Sequence, residues 1–181
     1  MPRYYRRYYG RRSYKKVRYS NETTSLMIAE QLAAGDVSTH PAYAQPPSHG
    51  FKLVPSTNVQ GVRKVKNMTL SLNVIGIDVP LLCAVVFVPG GTDAYTLNHA
   101  AGNSPNAVSL YEPNQNVIMQ FVVNPIDAAI PGNSIVQRFR TRLARNLDSN
   151  DEIRFIYTPA FGSQNAGNIQ ISGTFNYAIA Y

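Results

Sequence analysis

The sequence predicts an all-β domain carried behind a basic amino-terminal arm. Three observations lead there. Short apolar runs alternate with polar residues at a period of two, clusters of Gly, Pro and Asn punctuate them, and no stretch shows an amphipathic helix of ordinary length. The chain has 181 residues, enough for one domain and a tail. We divide it into an arm over residues 1–20 and a domain over residues 21–181.

The arm, MPRYYRRYYGRRSYKKVRYS, holds eight cations (Arg3, Arg6, Arg7, Arg11, Arg12, Lys15, Lys16 and Arg18), six tyrosines and no acidic residue. Its large side chains are charged or phenolic, so it cannot bury a core. Seventeen cations less these eight leaves nine in the domain against all ten acids, so the domain carries about −1. That asymmetry is expected of a near-neutral body holding a polyanion through a handle. Neutralised phosphates release counterions, and rings such as Tyr4, Tyr5, Tyr8 and Tyr9 offer stacking surfaces to unpaired bases. The same cations can be read as a nuclear import signal or as a solubilising tail.

Residues 20–34 alternate as Leu26, Ile28, Glu30, Leu32, which suits a strand leaving the arm. Asn21 or Thr23 capping a short helix is the other reading of the same residues. Residues 35–48, dense in Pro, Gly and Ser, read as a loop. Residues 62–74, VRKVKNMTLSLNV, are the clearest strand: regular alternation puts Met68, Leu70, Leu72 and Val74 on one face together with Lys64 and Lys66. The continuous apolar run Leu81 to Val88 fits a strand covered on both faces. Pro89-Gly90-Gly91-Thr92 ends it as a turn, since the glycine spacing and lysine of a nucleotide loop are missing.

A polar loop over 92–106 leads to a short run at Val108 to Tyr111 and a strand at Asn116 to Asn124. In residues 134–145, SIVQRFRTRLAR, extended geometry aligns Arg138, Arg140 and Arg142 on one face, with Phe139 and Leu143 turned to the core. Three guanidiniums in a row need phosphates or carboxylates as partners, or face water. In EIRFIYT, Ile153, Phe155 and Tyr157 oppose Arg154 and Ile156. The final residues place Ile169, Ile171, Gly173, Phe175, Tyr177 and Ile179 on one face of a strand running to the end of the chain. Seven or eight strands result, which fits an eight-stranded jelly roll, although strand count alone does not separate that from an immunoglobulin-like sandwich.

Composition argues against several function classes. Cys83 is the single cysteine, which leaves no internal disulfide framework or cysteine zinc cluster, and its apolar surroundings mark it as a core residue. His40, His49 and His99 stand apart, with no His-x-x-x-His, paired-carboxylate or Gly-x-Ser-x-Gly spacing. No catalytic residue, metal ligand or cofactor is therefore expected, and the chain does not read as an enzyme. No secretory signal or membrane span is expected either. The sequons at Asn21 and Asn67 read as accidental for that reason.

The order of a Tyr/Arg-rich amino terminus, GVRKVKNMTLSLNV, VPLLCAVVFVPGGT, SLYEPNQNVIMQ and RFRTRLARNLDSNDEIRFIY resembles the capsid proteins of circovirus-like, circular Rep-encoding single-stranded DNA viruses. The resemblance covers most of residues 61–157 and the arm. It implies a capsid-type jelly roll that self-assembles with copies of itself into a small T=1 icosahedral shell around a circular single-stranded DNA genome. It also implies residence in the virion and, during assembly, in the host nucleus and cytoplasm, with host import receptors as further partners. About sixty arms would bring roughly 480 positive charges inside such a shell, enough for counterion release to drive sequence-independent packaging. Arg63, Lys64, Lys66, Arg138, Arg140 and Arg142 are candidates to extend the basic surface. The alternative from residue chemistry is a cellular nucleic-acid-binding β-barrel of ribosomal or cold-shock-like type, which would read bases with aromatics on a strand face.

Overall fold

The computed structural model describes residues 17–32, 51–58, 60–76, 80–91, 116–124, 136–159 and 167–181. Every described element is a β-strand: β1 (Ser20–Leu32), β2 (Phe51–Val54), β3 (Arg63–Ile75), β4 (Leu81–Val88), β5 (Asn116–Val123), β6 (Gln137–Thr141), β7 (Arg145–Leu147), β8 (Glu152–Pro159) and β9 (Gly167–Ala180). The first of the two readings at residues 20–34 is the one observed. The described strands number nine: β2 is not among the expected strands, and residues 142–144 part β7 from β6 where the sequence suggests one strand. The expected run at Val108 to Tyr111 lies outside the described residues.

The strands form two antiparallel sheets, ordered β1-β9-β3-β6 with β7 also on β3, and β2-β8-β4-β5. Four sets of partners build them: β1 with β9, β2 with β8, β3 with β6 and β7, and β4 with β5. The contacts β9–β3 and β8–β4 then join these sets side by side within each sheet. Successive strands therefore alternate between sheets except at the β4–β5 and β6–β7 steps.

One core joins the layers. It contains Leu70, Leu72, Ile171 and Phe175 from the first sheet and Leu81, Val85, Ile153 and Phe155 from the second, all fully buried. Phe121 of β5 stacks on Phe139 of β6 with ring centroids 3.8 Å apart, closing the sandwich at that side. Gly173 of β9 stands opposite Leu72 of β3. A Cβ there would lie 2.1 Å from the Ser71 carbonyl oxygen, so no larger residue fits without moving a backbone.

Along β4 and β8 the second sheet is buried on both faces, as the continuous run Leu81 to Val88 implies, whereas Gln120 and Val122 of β5 are exposed. Leu81, Cys83 and Val85 point to the main core, while Ala84, Val86, Val88 and Ile156 form a separate buried cluster on the opposite face. Arg154 shares that second face and is ion-paired to buried Glu152, which also meets Lys52 at 3.3 Å. Charges stripped of water at this depth require such pairing.

β3 does not keep the regular alternation expected of it. Between Lys66, opposite Ala178, and Thr69, opposite Asn176, it contains one more residue than β9 does, and Asn67 takes a left-handed φ of 53°. Such a β-bulge reverses the parity of the strand, and Asn tolerates the required conformation at low cost. Arg63 and Val65 thus point inward before the bulge and Met68, Leu70, Leu72 and Val74 after it. Lys64 and Lys66 fall on the opposite, outer face, shared with Thr69, Ser71 and Asn73. This corrects the expectation that the two lysines share the core face.

Candidate nucleic-acid interface

The outer face of the β1-β9-β3-β6 sheet is built row by row from the register. Arg140, Thr69, Asn176 and Thr23 form one row, and Arg138, Ser71, Thr174 and Ser25 form the next. Asn73, Ser172 and Met27 follow beyond them, while Lys66 and Lys64 lie beside Ala178 and Ala180 on the other side. Thr23 Oγ1 donates to Asn176 Oδ1 at 2.6 Å, tying the short polar side chains of β1 and β9 within the first row.

The charge on this face has one sign. Lys64, Arg138, Arg140 and the adjoining Arg142 are exposed and Lys66 is half-buried. The two acids within these five strands, Glu22 and Glu30, stand at register positions opposite the core residues Tyr177 and Ile169. No carboxylate among the described residues pairs with Arg138, Arg140 or Arg142. An array of unneutralised cations on a rigid sheet favours an anionic partner.

The arm joins the sheet on this same face. Arg18 is exposed just before β1, and Lys66 Nζ lies 3.5 Å from the centre of the Tyr19 ring, a cation–π contact that fixes the arm's root beside the lysine pair. The remaining arm candidates, Arg3 through Lys16, and the three histidines lie outside the described residues.

Two sequence-derived candidates do not behave as expected. Arg63 is only 6% exposed, and its guanidinium donates from Nη1 to the Pro55 carbonyl and from Nη2 to the Asp151 carbonyl, both at 2.8 Å. It clamps a corner of the fold rather than extending a basic surface. Asp151 completes that corner, its carboxylate accepting from the Gly90 and Asp148 amides at 2.9 and 2.8 Å. Arg142 is exposed but lies beyond the end of β6, where the Leu143 amide donates to Thr141 Oγ1 at 3.1 Å and turns the chain out of the ladder. That turn leaves Leu143 half-exposed rather than in the core.

The bulge and the turn meet. Residues 66–67 of β3 and 142–144 between β6 and β7 have no register partners across the gap. A depression of about 420 Å³ opens there, lined by Asn67, Met68, Thr69, Arg140, Thr141 and Arg142. Nothing in regular periodicity pointed to it. The one available signal was the three-residue step from Val65 to Met68 in an otherwise two-residue pattern.

The expected core aromatics stay in the core. Phe155, Tyr157, Phe175 and Tyr177 are all buried, and apart from Tyr19 at the arm's root none of the described outer-face positions carries an aromatic ring. Among the described residues no group of three His, Cys, Asp or Glu side chains could hold a metal ion. Compared with known proteins, the chain matches no family model and no curated protein.

Proposed function

We propose that this chain is a jelly-roll coat protein whose copies close into a small icosahedral shell, and that it holds nucleic acid through its arm and the cationic sheet face at the arm's root. The strand partners support the jelly-roll reading. Counting β6 and β7 as one strand interrupted at residues 142–144, the pairs first-last, second-seventh, third-sixth and fourth-fifth are those of a long hairpin rolled into two sheets. The observation that carries the functional reading is the meeting of the arm with the acid-free face through Tyr19 and Lys66. A domain of about −1 charge can pack against copies of itself without strong repulsion, while Lys64, Lys66, Arg138, Arg140 and the adjoining Arg142 gather on one side of it.

Single-stranded DNA is the polyanion implied by the resemblance to circovirus-like capsids. A base-reading cellular barrel finds less support, because the polar sheet face lacks the aromatic platform that such proteins use. Electron microscopy of the purified full chain tests the reading. Particles of one diameter are expected, and monomers or dimers at every salt concentration would overturn it.

A further inference from the structure

We propose that the depression at the β3 bulge is a defined seat for one phosphate group of a nucleic-acid backbone, distinct from the diffuse attraction of the sheet face. The inference takes the source of the phosphate from the function proposed above. The seat itself rests on geometry. The extra residue in β3 and the break between β6 and β7 stand opposite each other, so strand pairing stops on both sides of the gap at once.

Around that gap the lining residues are of the kinds that hold phosphate. Arg140 and Arg142 supply planar guanidinium donors suited to two oxygens of one phosphate. Asn67 and Thr69 add neutral donors from the opposite wall, and Thr141, through its bond from the Leu143 amide, fixes the turn that presents Arg142. Neither arginine is matched to a carboxylate among the described residues. Met68 closes the floor as a fully buried side chain, so the lining is anchored in the core. Arg138, one row away, belongs to the open face and does not line the depression.

The test measures equilibrium dialysis of a labelled tetrathymidylate against the full chain, which works in any assembly state. Asn67→Asp puts a carboxylate into the lining and keeps a residue that accepts a left-handed φ. Ser25→Asp adds the same charge to the far edge of the same face. Asn67→Asp should weaken binding about fivefold or more and Ser25→Asp less than about twofold. Arg142→Gln, at an exposed position that no fold contact requires, should repeat the larger loss. Equal losses from Asn67→Asp and Ser25→Asp, or full affinity in Arg142→Gln, would overturn the seat. Absence of tetrathymidylate binding by the unaltered chain would instead contradict the nucleic-acid function on which the seat depends.

Discussion

The two sheets share one core and differ in what they do with their other face. The β2-β8-β4-β5 sheet buries both sides along its central strands β8 and β4, where even the charges of Glu152 and Arg154 are buried against each other. The β1-β9-β3-β6 sheet buries one side and shows short polar residues and cations on the other. The difference separates two kinds of surface: the outer face of the former is largely withdrawn from water at β4 and β8, whereas that of the latter presents cations among short polar residues.

Substitutions separate these surfaces, and the largest effects belong to the shared core. Gly173→Ala should cost more than about 3 kcal/mol, because its Cβ meets the carbonyl of a neighbouring strand that cannot step aside. Phe155→Ala, which empties a fully buried site of the second sheet, should cost about 3–5 kcal/mol. Urea unfolding monitored by circular dichroism measures both.

Next comes the buried charge of the second sheet. Glu152→Gln removes the carboxylate that holds Arg154 and should cost about 2 kcal/mol in the same unfolding experiment. Removing a cation from the open sheet should not approach that figure.

Alkaline pH gives a further contrast. Burial pushes the Cys83 thiol far above its ordinary value, and burial likewise raises Tyr177. For both groups the protonated form is favoured by folding. The stability they contribute is complete below the unfolded values, about 8.5 for Cys and about 10 for Tyr, and declines as pH rises beyond them toward the folded values. Cys83 alone should give a slope of about 1.4 kcal/mol per pH unit above about pH 8.5. Cys83→Ala should flatten that slope; an unchanged slope would show that the thiol is not sealed from water.

The smallest stability effects are expected on the open face. Arg138→Gln and Lys64→Gln should each change stability by less than about 0.5 kcal/mol. Each should also lower the salt slope of single-stranded DNA binding by about 0.7. An unchanged slope in both variants would remove the sheet face from the interface.

Much of this architecture was legible where one physical pattern dominated. The runs Leu81 to Val88 and Ile169 to Ile179 are long enough for burial to impose period or continuity, and both form as expected. β2 and β7, with four and three residues, are too short for periodicity to register and are held by their partners instead. The bulge at Asn67 escaped because parity arguments assume unbroken alternation, and one inserted residue moved Lys64 and Lys66 to the other face. Arg63 misled for the same reason, since a charge at an inward position is legible only once its carbonyl acceptors are placed. The row of three arginines was two-thirds visible, failing at Arg142, where the Leu143 amide donates to Thr141 Oγ1 and the strand ends.

Under the proposed function, the domain supplies geometry, and the arm together with the face that it joins holds the nucleic acid. Nuclease protection of single-stranded DNA mixed with the full chain, compared with a chain lacking residues 1–16, tests that division most directly. The full chain should form uniform particles that protect DNA. The shortened chain should retain the fold yet protect little DNA and bind with a shallower salt slope. Equal protection and an unchanged slope in the shortened chain would contradict the account.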